Sequence, residues 1–470
     1  MVGARGFVQS VSRALPEVKK PIRKLSLNER LIWTIIALVV FLAMAQVPLY
    51  GVPVGLQDQL AYTRVIFASS QGTLMELGIG PIVTAGLILQ LLKGAEIIKL
   101  DFKKPEDRAL FSSATKLLTI GVIIMEASAF IAGGVFGTQL TSTAVVLILA
   151  QLIGAGLLVI LLDELVQKGW GIGSGISLFI MAGVAQQVMW SIFSVFPTGS
   201  GFLGVVPFTI SSILAGVPGE AFYRGTLPSI SSLIITILVI LFIIYIEGVR
   251  VEIPITSTQY RGFAGVYPIK LLYTSVVPVI LISALLANIS FFSQMISTRF
   301  NPLGQDFLVN LLVRYDLTNP AAGPIGGLLY YITSPGTLEA TALDPLRAVT
   351  YILFIVAGSV MFAKVWVEIG GLAPHAAAKN LIDAKIQIPG FRRSEASVEA
   401  LLKRYIPSIT IISGIIIGLL AGGADLLGTF GSGTGLLLMI DILLNYYQML
   451  MRERLETTMP RLAGVLGKKT

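Results

Sequence analysis

Residues 141–162 read TSTAVVLILAQLIGAGLLVILL, a stretch without one charged side chain. At 1.5 Å of rise per residue it makes a helix about 33 Å long, enough to cross the roughly 30 Å hydrocarbon layer of a bilayer. Nine comparable runs, bounded by charges or by Gly and Pro, lie at 31–48, 73–92, 113–133, 171–190, 230–247, 268–290, 348–364, 405–422 and 429–450. The run at 73–92 is weak at its start, because Gln57 to Gln71 is mixed rather than apolar. Gly201 to Pro218 is apolar but short and broken by Gly, Ser and Pro, so it is expected to lie at or dip into the outer surface. The expected class is an all-α membrane protein with ten transmembrane helices.

Bulk composition agrees. The chain has 470 residues, 54% hydrophobic and 13% charged, with a mean hydropathy of +0.83. Soluble proteins carry about twice that charged fraction, and this composition excludes a soluble enzyme, a nucleic-acid domain and a disordered chain. There is no Cys, and His375 is the single His, so thiolate and histidine metal sites are excluded and no cofactor is expected.

Charge placement tests the count of spans. Of 34 Lys and Arg, 29 fall in the segments on the N-terminal side of the ten spans, and only Arg64, Arg224, Arg299, Arg314 and Arg347 fall on the other. The positive-inside bias then places both termini in the cytoplasm. With seven basic residues and no long apolar run in its first thirty, the N-terminus is not expected to be a cleavable signal. The spacing of Phe7, Val8, Val11, Leu15 and Val18 among Arg13, Lys19 and Lys20 predicts an amphipathic helix on the cytoplasmic surface.

Two glycine runs organise the middle of the chain. Gly171-Ile172-Gly173-Ser174-Gly175-Ile176 opens the fifth span, and Gly431-Ser432-Gly433-Thr434-Gly435-Leu436 opens the tenth. Neither follows a strand or carries the Lys-Ser/Thr of a phosphate loop, so nucleotide binding is a poor reading. Glycines allow close packing of helices in lipid. Their matching positions in two oppositely oriented sets of five spans mark an inverted repeat, whose interface near the midplane is a usual transport site. The expected division is a cytoplasmic N-terminal segment (1–30), a first half (31–190), an external linker (191–229), a second half (230–450) with cytoplasmic loops at 247–270 and 365–404, and a cytoplasmic tail (451–470).

Candidate lining positions are aliphatic. Ile79 and Val83 share a helix face at i, i+4, as do Ile176 and Ile180, while Ile280 and Leu438 lie midway along the seventh and tenth spans. Spacing alone fits lipid-facing or core residues. The functional alternative is a ring that closes a pore by dewetting and contact packing. Thr84, Glu126 and Asn288 are the polar candidates within spans, and an intramembrane Glu is costly unless paired or neutral. Proton coupling and a separable polar cluster are both open to it. Asp163-Glu164, Asp425 and Asp441 sit near span ends, where solvation is the expected explanation. The two large basic loops, with Arg250, Arg261 and the strand-like Val251-Glu252-Ile253 in one and Arg392 and Arg393 in the other, suit docking of an anionic partner such as ribosomal RNA.

Several motifs together resemble the SecY family of protein-conducting channels. Gly72-Thr73-Leu74 with Leu77-Gly78-Ile79-Gly80-Pro81-Ile82-Val83-Thr84-Ala85-Gly86 is similar to its second-helix signature, and Trp170-Gly171-Ile172-Gly173-Ser174-Gly175-Ile176 to its fifth. Arg250-Val251-Glu252-Ile253-Pro254 resembles its first large cytoplasmic loop, and Gly390-Phe391-Arg392-Arg393-Ser394-Glu395 with Arg404-Tyr405-Ile406-Pro407 its second. The likeness runs from about Pro16 to Leu462, and the loop from Phe291 to Arg347 has an archaeal character.

The resemblance implies the central pore-forming subunit of a translocon in the cell membrane, a multi-pass channel and not an enzyme. Unfolded polypeptides cross its hourglass pore, and transmembrane segments leave sideways into membrane lipids through a lateral gate. The family's pore ring falls on Ile79, Val83, Ile176, Ile180, Ile280 and Leu438. Its plug falls on Leu60, Ala61, Tyr62, Thr63, Arg64, Val65, Ile66, Phe67 and Ala68, and its lateral-gate polar cluster on Thr84, Glu126 and Asn288. Arg250, Arg261, Arg392 and Arg393 match positions that engage a ribosome or motor. The implied partners are the small SecE and Secβ subunits, the ribosome, signal sequences and nascent polypeptides.

An ion-coupled secondary transporter is the competing reading, but it needs a midplane solute site, and the aliphatic positions argue against one. An intramembrane enzyme is disfavoured, since no Ser–Lys, paired-Asp or His-rich constellation lies at helical spacing within the spans.

Overall fold

A computed structural model describes residues 15–458 except 24, 53–63, 65–66, 95–96, 99, 101–103, 138–139, 199–200, 226, 258–263, 302–303, 316–322, 384–385 and 388–393. Among the described residues, nine helices are long and apolar enough to span a membrane. They include α1 (Leu27–Met44), α3 (Pro105–Ala132), α4 (Ser142–Leu165) and α5 (Gly175–Phe193). After a short helix α6 (Val205–Leu214) come α7 (Ile230–Gly248), α8 (Val277–Phe300), the short helices α9 (Phe307–Leu312), α10 (Leu328–Ile332) and α11 (Leu338–Leu343), and then α12 (Pro345–Ile369), α14 (Glu395–Leu426) and α15 (Gly433–Thr458). The run expected at 201–218 is therefore a ten-residue helix rather than a span.

The second run forms a shorter helix than its hydropathy suggests. Its helix α2 covers Gly80–Gly94, 15 residues, while 71–79 forms turns. That length reaches only about 22 Å. The turn is imposed from outside: Gly78 has φ +56°, and a Cβ there would lie 2.1 Å from the Phe67 carbonyl oxygen. The seventh run is also shifted. Residues 264–270 form a strand and Ser275 takes φ +54°, so α8 begins only at Val277, with Pro278 in its first turn, where a missing N–H costs nothing.

Two compact units emerge from the packing. The first comprises residues 1–82, 109–186 and 438–470. Within it Gly156 of α4 admits Ile123 of α3, whose Cδ1 would stand 2.8 Å from an added Cβ. The rings of Phe41 and Phe179 stack with centroids 4.3 Å apart. On α1, the Thr34 hydroxyl accepts the Ile172 amide at 3.0 Å, and Arg30 donates to the Gly171 carbonyl at 3.2 Å and pairs with Glu453.

The first unit also corrects the N-terminal expectation. Phe7, Val8, Val11 and Arg13 lie outside the described residues, but Leu15, Val18, Lys19 and Lys20 lie in a non-helical stretch. Lys116 donates to the Pro16 carbonyl at 2.7 Å, Glu164 accepts the Val18 amide at 3.1 Å, and Trp170 donates to the Lys19 carbonyl at 2.7 Å. Backbone groups committed to these side chains are not available for a helical ladder. Lys168 pairs with Glu17 and holds its carboxyl below the ordinary carboxylate value.

The second unit comprises 83–108 and 187–437. Gly414 and Gly418 on α14 lie against the backbone of α12. A Cβ at either would stand 2.8 Å and 2.7 Å from the Cα of Val360 and Val356. Small residues spaced by four are how helices approach closely where lipid removes any apolar drive to associate. The two large loops join here as a three-stranded sheet: β1 (Arg250–Ser257), the central strand, pairs antiparallel with β2 (Ala264–Lys270) on one side and with β3 (Ile386–Gln387) on the other. In the same unit α13 (Pro374–Asp383), the end of α12 and the start of α14 share a buried apolar cluster that includes Val367, Ala378, Leu381 and Leu402.

Candidate functional site

The turn before α2 is built around two residues that flank it. Phe67, in the segment matched to the plug, accepts the Ile79 amide on its carbonyl at 2.8 Å, and its ring lies against Gly80, 3.2 Å from where a Cβ would be. Ile79 is 0% exposed. The Gly78-Ile79-Gly80 signature thus has a physical reason: both glycines make room for the segment that docks on Ile79. Glu76 completes the turn by accepting the Gly72 amide and pairing with Arg64 at 2.8 Å, with side chains 0% and 10% exposed. Nothing in the composition marked Glu76 beforehand; a charged residue inside an otherwise apolar signature was the available signal. Of the other expected plug residues, Ala68 is buried beside Gly183, whereas Leu60, Ala61, Tyr62, Thr63, Val65 and Ile66 lie outside the described residues.

The six ring candidates divide between the units. Ile79, Ile176, Ile180 and Leu438 belong to the first, and Val83 and Ile280 to the second. Ile180 and Leu438 are buried like Ile79, and Val83, Ile176 and Ile280 are partly exposed. Within the second unit, Leu238 on α7 and Leu353 on α12 are far more open, 60% and 63% exposed.

Two of the polar candidates, Thr84 and Asn288, are joined directly within the second unit. Asn288 donates from Nδ2 to the Thr84 hydroxyl at 3.1 Å and to the Ala284 carbonyl at 2.8 Å, and Thr84 donates back toward Oδ1 at 3.4 Å. Both belong to the second unit, with Thr84 on α2 and Asn288 on α8. Glu126 lies on α3 in the first unit, 5% exposed.

Asp163 and Asp425 are not solvated, contrary to the expectation. They are 8% and 5% exposed. Each ends one helix and receives the start of the next. Asp163 on α4 accepts the Ile176 amide at 2.9 Å and Gln167 at 2.8 Å; Asp425 on α14 accepts the Gly433 amide at 2.7 Å, the Thr434 hydroxyl at 3.2 Å and the Tyr351 hydroxyl at 2.7 Å. Their place one short connection before a glycine run was the signal in the sequence. Of the other two, Glu164 is partly exposed and accepts from Lys116 at 2.6 Å and from the Val18 amide, and Asp441 is buried and accepts from Asn445.

On the sheet, Arg250 is exposed at the start of β1, with Val251 and Val266 exposed beside it. Arg261, Arg392 and Arg393 lie outside the described residues. Among the described residues no group of three or more His, Asp or Glu is placed to hold a metal ion.

Comparison with known proteins covers the chain almost from end to end. The family model SecY matches residues 73–447, and a model for the plug domain of Sec61p matches 39–72. The protein translocase subunit SecY of Pyrococcus furiosus is 39% identical, covering 99% of this chain and 100% of that one. A solved protein-conducting channel superposes with a TM-score of 0.82 at 37% identity, over 96% of this chain and 98% of that chain. Sec61 in the canine ribosome-channel complex from the endoplasmic reticulum gives 0.80 at 36% identity, over 96% and 98%. A match this long in sequence, with the same ten-helix fold, places the chain in the SecY family.

Proposed function

We propose that this chain is the central pore-forming subunit of a protein translocation channel in the cell membrane, passing unfolded polypeptides across the bilayer and releasing transmembrane segments sideways into lipid. The observation that carries this reading is the docking of Phe67 on Ile79 through a 2.8 Å backbone hydrogen bond. It joins the plug segment to the first residue of the aliphatic ring. Ile79, Val83, Ile176, Ile180, Ile280 and Leu438 form that ring, a gasket of branched side chains that excludes ions by dewetting and grips no substrate sequence chemically. The plug comprises residues 60–68, and idle channels are sealed by both.

Thr84, Asn288 and Glu126 form the polar latch of the lateral gate. The Thr84–Asn288 bond supports it, because a polar pair in hydrocarbon holds two helices together and yet exchanges readily for other partners. Both termini and the sheet carrying Arg250 face the cytoplasm, an orientation that the distribution of Lys and Arg supports, and Arg250, Arg261, Arg392 and Arg393 engage the ribosome. The halves at 31–190 and 230–450 are related as inverted repeats, clamped by a SecE subunit and joined by Secβ. The test is ion conductance in planar bilayers after deleting residues 60–68. A channel sealed by this segment leaks, whereas tight bilayers with coupled solute uptake would mark a transporter instead.

A further inference from the structure

The two glycine runs come into register in the structure at a point their sequences only suggest. Gly173 and Gly431 both have φ +75°. Ser174 and Ser432 follow, and their carbonyls accept the first helical amides, from Leu178 at 3.1 Å and Leu436 at 3.0 Å. Gly175 and Gly433 then begin α5 and α15. Each of these glycines sits directly on a carboxylate-bearing residue of the preceding long helix. A Cβ on Gly175 would lie 2.6 Å from the Asp163 Cα, and one on Gly433 would lie 2.3 Å from the Ala421 carbonyl oxygen and 2.6 Å from the Asp425 amide nitrogen. Asp163 takes the Ile176 amide at 2.9 Å, Asp425 the Gly433 amide at 2.7 Å. One device has been built twice, from different residues upstream of each run.

Its position matters because of what the two helices carry. The amide held by Asp163 is that of Ile176, a ring residue, and Ile180 follows one turn on. Leu438 stands five residues past Gly433, about 7.5 Å along the same helix. Side-chain reinforcement is present at both ends: Tyr351, 0% exposed, donates to Asp425, and Gln167 donates to both oxygens of Asp163. A carboxylate at a helix start holds the end both by hydrogen bonds and by the helix dipole, so it sets where along its axis the helix begins.

We propose that Asp163 and Asp425 are paired positioning residues, each fixing the axial register of a pore-lining helix and thereby the closure of the aliphatic ring. The inference rests on the ring reading given above.

The test is resting ion conductance of the full channel complex in planar bilayers, with the thermal midpoint of the purified complex measured in parallel. The variants are Asp163→Ala, Asp425→Ala and the milder Asp163→Asn and Asp425→Asn. Leu152→Ala, at a buried position of α4, serves as a control for destabilisation alone. The Ala variants should leak about tenfold more than the parent and the Asn variants about threefold more, the size expected for losing a helix-start acceptor or only its charge. Leu152→Ala should lower the midpoint at least as much and stay tight. If an Ala variant fails to assemble, its Asn counterpart decides. Ion-tight Asn and Ala variants, alongside a leaking Ile79→Asn/Ile180→Asn channel, overturn this inference and leave the ring standing. A tight Ile79→Asn/Ile180→Asn channel overturns the ring and this inference with it.

Discussion

Replacing Arg64 by Met withdraws the cation from a nearly dry ion pair and so tests whether the plug segment is held by charge. The guanidinium lies 2.8 Å from the Glu76 carboxylate, with side chains 10% and 0% exposed. At an effective dielectric constant of 20 the attraction at that distance is about 6 kcal/mol before desolvation is subtracted. Removing one partner of a buried pair typically costs about 3–5 kcal/mol, because the remaining charge stays buried. Glu76 keeps the Gly72 amide, so the lower end is the better figure here. About 3 kcal/mol shifts the balance between docked and displaced plug roughly 150-fold. The assay is single-channel recording of the idle complex, where the open probability should rise by about two orders of magnitude or saturate. Adding Glu76→Gln keeps an acceptor for Gly72 and removes the stranded charge, so the double variant should regain most of the seal. An Arg64→Met channel as quiet as the parent, or a double variant noisier than the single one, refutes the reasoning.

Three further outcomes follow from the same geometry. Asn288→Leu removes the hydrogen bond to Thr84 and should raise export of a reporter lacking a signal sequence about five- to thirtyfold, the equivalent of roughly 1–2 kcal/mol. Thr84→Val added to it should change export little, since the two groups act as one unit. Arg392→Glu should weaken ribosome co-sedimentation while leaving insertion and expression intact, and its effect should shrink as salt rises. The Glu17 carboxyl is held low by Lys168, first through the hydrogen bond and then through its charge. A depressed carboxylate contributes stability above its ordinary value of 4.5 and loses it as pH falls through the lower folded value. Protection of the amides at residues 15–20, measured relative to their intrinsic exchange rates, should therefore fall only below about pH 4.5, and Lys168→Met should remove most of that pH dependence.

The parts of the fold that lipid enforces were legible in the sequence. A backbone in hydrocarbon must satisfy its own amides, so long apolar runs became helices nearly where hydropathy placed them, as 141–162 did in the helix Ser142–Leu165. The start of α2 was not, because it depends on Phe67 lying against Gly78 and Gly80, a contact no periodicity encodes. The sheet was half legible: Val251-Glu252-Ile253 has strand character, but its third strand comes from Ile386 and Gln387, more than a hundred residues away. Asp163 and Asp425 were misread because position near a span end predicts water, while burial depends on where the following helix begins. The amphipathic reading of the N-terminus failed over residues 15–20 for a similar reason: Lys116, Glu164 and Trp170 capture backbone groups that a helix needs. Among the site residues, Ile79 and Thr84 were singled out because they fall inside a signature motif, whereas Glu76 was passed over because its pairing with Arg64 and the Gly72 amide depends on how the chain folds back before α2, which no spacing rule encodes.

The central claim is that polypeptide passes through a collar of aliphatic side chains. A ribosome-stalled nascent chain, with a photoreactive residue placed in turn at positions 180, 79 and 438 of the channel and at Leu238 as a lipid-facing reference, tests it directly. Strong adducts from 180, 79 and 438 and none from 238 are expected. Equal labelling at 238, or adducts with lipid alone from 180, would contradict it.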